Sequence, residues 1–156
     1  MEMTVTTGKT YLRVQLTTNN LVGFALNQTS EVIMIPSRRL AAMPNLPECV
    51  LGLVNHRNRI LWTVDLAALL GFSPLDAFCP LYPAVVVRNA HRSLAFAVRE
   101  VNGIWHTDAE VLPPPKTVPD YLLPYLAGVV HQSPETLLLI DPVALLHSSD
   151  FLLRKN

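Results

Sequence analysis

The chain of 156 residues is half hydrophobic and only 15% charged, and its twelve basic residues balance twelve acidic ones to a net charge of zero. A length of this order builds one domain, or two small intertwined ones, and buries roughly two thirds of its unfolded surface without covalent staples. This composition excludes intrinsic disorder, and the charge balance argues against a nucleic-acid binder, which concentrates positive charge.

From the N-terminus, MEMTVTTGKT has neither the basic nor the apolar region of a signal peptide. Leu12, Val14 and Leu16 then alternate with polar neighbours, as in a half-buried strand. Apolar bursts follow at 21–26 and 31–35, and those at 50–54 and 60–64 flank the polar segment Asn55-His56-Arg57-Asn58-Arg59. Further bursts lie at 84–87, 94–98, 101–105, 126–130 and 136–140. About ten short strands separated by turn residues predict an all-β barrel or sandwich. Helical spacing occurs only after Asp65 (Leu66, Leu69, Leu70) and after Asp141 (Val143, Leu145, Leu146), where each aspartate is placed to cap a helix. Gly71 stops the first of these. The uncharged stretch 121–134 is too short to cross a membrane and is broken by Pro124, Gly128 and Gln132, so no membrane insertion is expected.

The chain repeats. At an offset of 76, residues 50–71 (VLGLVNHRNRILWTVDLAALLG) match 126–147 (LAGVVHQSPETLLLIDPVALLH) at seven of 22 positions, among them Gly52/Gly128, Asp65/Asp141 and the Ala-Leu-Leu runs from Ala68 and Ala144. A weaker echo at 72 pairs Phe24-Ala25-Leu26 with Phe96-Ala97-Val98. One domain over 1–156 is therefore predicted, made of two pseudo-equivalent β subdomains at roughly 11–80 and 81–147, with the chain crossing between them. Pro36, Pro44 and Pro47, and later Pro113 to Pro115 and Pro119, mark extended connections.

No phosphate loop, dinucleotide fingerprint, nucleophile elbow, zinc-protease helix or calcium loop is present. His106 with Asp108 and Glu110 reads as a solvated loop rather than a metal site, and the five histidines are scattered. Cys49 and Cys79 are expected to be free thiols, Cys49 acting as a small buried hydrophobe rather than a nucleophile. Asp65 and Asp141 could be paired catalytic carboxylates, but their equivalent places before helices favour caps. An enzyme is not expected, nor a cofactor or metal. What remains is a surface. Arginine outnumbers lysine nine to three, and Arg57 and Arg59 flank Asn58 on the first hairpin, where the second has Ser133-Pro134-Glu135. Hairpin chemistry alone allows either a solvated turn or a binding site there.

The run from Gly52 to Leu66, GLVNHRNRILWTVDL, resembles the signature G-[VI]-[IV]-N-L-R-G-x-[IV]-[IVL]-P-[VI]-[IV]-D-L of the CheW family, the bacterial chemotaxis coupling proteins. Ser30-Glu31-Val32-Ile33 upstream, and Tyr125-Leu126-Ala127-Gly128 and Leu139-Ile140-Asp141 downstream, are similar to the family's other motifs in the right order. His56, Asn58, Trp62 and Arg99 depart from the family pattern. The resemblance implies a mainly β fold of two intertwined SH3-like five-stranded barrels with short capping helices. It also implies a non-catalytic cytoplasmic adaptor, at membrane-associated receptor arrays, that joins the cytoplasmic tip of a chemoreceptor to the regulatory domain of a CheA-type histidine kinase. A scaffold of the same fold in pilus motility, phototaxis or another kinase pathway is the alternative. A β-barrel module for a ligand or nucleic acid is more remote. Carried over by position, Glu31 and Arg57 are partner contacts, Asn58 and Arg59 share their hairpin, and Val32 and Val54 wall a groove for the receptor tip. The end of the chain at Asn156 is expected to leave no room for a receiver domain.

Overall fold

The structure, a computed structural model, describes residues 9–89, 92–132 and 135–148. Its strands are β1 (Lys9–Thr17), β2 (Asn20–Ala25), β3 (Glu31–Pro36), β4 (Val50–His56), β5 (Arg59–Asp65), β6 (Leu81–Arg88), β7 (Ser93–Ala97), β8 (Glu100–Thr107), β9 (Val111–Leu112), β10 (Leu126–Gln132) and β11 (Glu135–Ile140). Helices α1 (Leu66–Leu69) and α2 (Pro142–Ser148) follow β5 and β11. The ten expected strands and both helices are present, and β9, two residues long, is the addition that periodicity could not reveal.

Two curled, SH3-like sheets result. One has the order β3-β6-β7-β5-β4 and the other β8-β1-β2-β11-β10-β9. The first is continuous in the chain, whereas the second combines strands from both ends. Their boundaries therefore do not follow the halves 11–80 and 81–147: β6 and β7 join the sheet of β3 to β5, and β1 and β2 join the sheet of β8 to β11. The exchange is reciprocal. β5 runs parallel to β7 with Val64 beside Phe96, and β11 runs parallel to β2 with Ile140 beside Phe24. These four residues are the two repeat pairs, so the sequence duplication is also a duplication of pairing.

The repeated glycines and aspartates show why they recur. Gly52 (φ +140°) and Gly128 (φ +156°) each mark a bulge in the β4–β5 and β10–β11 ladders. A Cβ on Gly52 would lie 2.5 Å from the Ala41 carbonyl oxygen, and one on Gly128 would lie 2.8 Å from that of Leu112. Ala41 bridges Leu53 as Leu112 of β9 pairs with Val129, so each glycine lets a short extra segment lie against its hairpin. Asp65 accepts from the Ala68 N–H (3.1 Å) and Asp141 from those of Val143 (3.0 Å) and Ala144 (3.5 Å), the caps that the spacing predicted. Even the bonds anchoring them correspond, Asp65 N–H to the Cys49 carbonyl and Asp141 N–H to that of Tyr125.

Both faces of the middle strands are buried. On β6, Ala84 and Val86 point into the five-stranded sheet with Ile33, Val54 and Leu61, while Val85 and Val87 point into a core shared with the other sheet. Leu12, Val14, Val22, Phe24, Leu94, Phe96 and Ile140 meet in that shared core, under Leu66, Leu70, Leu145 and Leu146 of the helical segments. Each large side chain uncovered by parting the sheets would cost about 1.5–3 kcal/mol, which ties them into one unit. Trp62, where the family signature has proline, is half-buried against the same core.

Candidate partner-binding surface

The β4–β5 hairpin closes on two residues. His56 pairs with Arg59, and between them Arg57 (φ 54°) and Asn58 (φ 66°) are both left-handed, as a type I′ turn requires. Asn58 suits this conformation, but Arg57 occupies it at a cost of roughly 1–2 kcal/mol. The turn thereby sends Arg57 outward, 74% exposed, and towards β3.

There it meets Glu31. In the β3–β6 ladder Glu31 lies opposite Val86, which brings it diagonally beside Arg88. The Glu31 carboxylate is 18% exposed and is surrounded by three basic groups: Arg57 Nη1 at 3.3 Å, Arg88 Nη2 at 3.3 Å and His56 Nε2 at 3.5 Å. An ion pair as open to water as Arg57–Glu31 is worth about 0–1 kcal/mol. Loss of this pair would therefore change stability little. Beside the cluster, β3 turns Val32 and Met34 outward, 43% and 53% exposed, and Leu81 is exposed across the ladder from Pro36.

The structure brings Glu31, Val32, Arg57, Asn58 and Arg59, the residues singled out by the resemblance, to one open end of the five-stranded sheet. Val54 needs correction: only 5% exposed, it points into the sheet's own core with Ile33, Leu61 and Ala95, and can support the surface only from beneath. Its repeat mate Val130 is buried in the same sense. Arg88 and the role of His56 escaped notice; a charged residue closing the apolar run 84–87 was the available signal. Arg99 is exposed on the β7–β8 turn, its backbone N–H donating to the Gln15 carbonyl, and is not part of the cluster. The turn residues Ser133 and Pro134 lie outside the described residues.

The alternatives to a surface find little chemistry. Burial pushes the Cys49 thiol up, away from the thiolate a nucleophile needs, and both cysteines are free. His106 Nδ1 is 2.9 Å from Thr10 Oγ1. Among the described residues no group of three or more histidine, cysteine or acidic side chains could hold a metal, and no helix is long and apolar enough to cross a membrane.

The comparisons with known proteins agree with this picture. The probable chemotaxis protein CheW of Rhizobium etli is 31% identical over 111 residues, 70% of each chain. The crystal structure of the scaffolding protein TtCheW from Thermoanaerobacter tengcongensis superposes with a TM-score of 0.71 at 19% identity, over 85% of this chain and 88% of that one, a likeness of fold. The CheW-like domain family profile matches residues 10–150. With nine tenths of its length matched, two sheets of the same architecture and the signature arginine on its hairpin, the chain belongs to the CheW-like domain family, whose members are non-catalytic scaffold proteins.

Proposed function

We propose that this protein is a cytoplasmic coupling adaptor that binds the cytoplasmic tip of a chemoreceptor and the regulatory domain of a CheA-type histidine kinase. The observation that carries the reading is the Glu31 cluster: a strained, exposed Arg57 held loosely over a carboxylate, next to the apolar stripe of Val32 and Met34, in a chain of the CheW family. A charged fork beside exposed aliphatic side chains suits a partner surface that combines carboxylates with apolar contacts. That a relative in sequence is a probable chemotaxis protein supports the pathway, and that a relative in fold is a scaffolding protein supports the kind of role.

Calorimetry and pull-down with both partners test it. Arg57→Ala is expected to weaken binding to at least one partner by about ten- to a hundredfold, the loss of a charge-assisted pair worth ~1.5–3 kcal/mol. Its stability should change by less than about 0.5 kcal/mol. Arg57→Lys should restore binding only in part, because the planar fork is lost. Wild-type protein that captures neither partner would refute the reading.

A further inference from the structure

Arg88 has a second side that the Glu31 cluster does not use. Between the start of β5, the end of β6 and the start of β7 lies a cleft of about 400 Å³ lined chiefly by Arg59, Ile60, Arg88, Asn89 and Arg92. A chain with no net charge thus gathers three of its nine arginines around one cleft. Two of these guanidinium groups are already oriented: Arg92 donates to the Leu146 carbonyl, and Arg88 Nη2 is bound by Glu31 at 3.3 Å. Among the described residues the buried Nε–H of Arg88 has no hydrogen-bond partner, a donor left unmet at a cost of about 1–3 kcal/mol. Arg59 is exposed at the rim, and Ile60 beside it leaves 62% of its surface in water.

We propose that this cleft is a second recognition pocket, which takes the carboxylates of an acidic, partly aliphatic peptide segment on the coupling partner. Fixed guanidinium forks match carboxylates in plane, two N–H groups to two oxygens. The cleft has room for two or three side chains rather than one small ion, and the exposed Ile60 offers an aliphatic contact that a free oxyanion could not use. Arg88 belongs to both sites, so the pocket continues the Arg57 surface around the end of β6. The identity of the partner rests on the adaptor reading; the chemistry of the cleft does not.

The test uses the full chain and two five-residue end-blocked peptides, one alternating glutamate with leucine and the other glutamine with leucine. The acidic peptide should bind saturably, more weakly as salt rises, and at least about tenfold more tightly than its neutral counterpart. Its titration should move the Arg88 Nε–H resonance. Arg59→Gln, an exposed change that should leave the melting temperature unaltered, should weaken the peptide about tenfold. Equal binding of both peptides, an unmoved Arg88 resonance, or inorganic phosphate binding more tightly than the acidic peptide would each overturn the proposal. The receptor tip and kinase domain are titrated in parallel. If wild type captures either and Arg59→Gln captures it equally well, the cleft proposal fails alone. If wild type captures neither while the acidic peptide still binds, the adaptor reading fails and the cleft stands.

Discussion

The end of the five-stranded sheet that carries Glu31 has a counterpart in the six-stranded sheet, and the two are braced differently. Matching strands by the core they face sets Glu31 against Gly103, Arg88 against Gln15, and His56 against Gln132. In the counterpart, Gln15 Oε1 accepts from Asn102 Nδ2 at 3.0 Å, where the first sheet has Arg88 on Glu31. One architecture is thus held at equivalent places by a neutral amide pair and by a charged cluster. Features common to both sheets, namely the bulge glycines, the capping aspartates and Phe24 with Phe96, are what the fold requires. The Glu31–Arg88 pair is found at one of the two matched places and the Gln15–Asn102 pair at the other, and the proposed recognition role rests on that difference.

The largest effect should come from a shared feature. Gly52→Ala drives a Cβ into the Ala41 backbone at a positive φ, and Gly128→Ala does the same against Val111 and Leu112. Each should cost about 3–4 kcal/mol in urea unfolding. A tolerant Gly128 beside an intolerant Gly52 would break the equivalence of the two ends.

The capping aspartates should differ in size of effect but not in kind. Asp65 is buried and also accepts from the Leu75 N–H at 2.8 Å, so Asp65→Ala strands two donors and should cost about 3 kcal/mol. Asp141→Ala should cost about 1 kcal/mol, an ordinary cap. Burial pushes the Asp65 carboxyl up, against the opposing pull of the N–H groups of Leu75, Ala68 and Ala67. A carboxyl raised on folding binds protons more readily in the native state. Asp65 therefore adds stability as pH falls through its raised value towards about 3.9, and withholds it at neutral pH. The stability difference between wild type and Asp65→Asn should grow in favour of wild type across that window. A difference flat with pH would mean that the carboxyl is not raised.

The smallest effect is the most informative. Glu31→Gln combined with Arg88→Gln converts the charged end into the neutral chemistry of its counterpart. Stability should then stay within about 1 kcal/mol, since removing both partners of a partly buried ion pair leaves neither charge unpaired, while partner binding falls. A loss of more than about 2 kcal/mol in thermal or urea unfolding would show that the cluster braces the fold and would undo the comparison.

Much of this was legible in the sequence because the informative contacts are local. Alternation marked the strands, aspartate before an apolar turn marked the caps, and the Gly and Asp matches marked the duplication. The exchange of strands was less accessible, because the parallel pairing of β5 with β7 and of β11 with β2 is chosen by the shared core rather than by any single segment. The Glu31–Arg88 contact depends on a ladder between residues 57 apart, which no periodicity encodes. Val54 was assigned to the groove by resemblance, although its alternation with Leu53 and Asn55 and its match to Val130 already pointed inward. Arg57 in a left-handed turn escaped because that conformation was anticipated only for Asn58.

The exchange of strands also sets an order of assembly during synthesis. The five-stranded sheet needs nothing beyond Ala97, so it can close as soon as β7 has left the ribosome. The β1–β2 hairpin is made first but must wait for β11, several seconds at ~5–20 residues per second, before its partner strand exists. Throughout that interval β8 can join β1, and Val22 and Phe24 can rest against the finished sheet, but β2 lacks the β11 edge that completes its pairing. An early strand is thus locked late, and a nascent chain halted before β11 presents a completed sheet and an open β2 edge to the cell's chaperones.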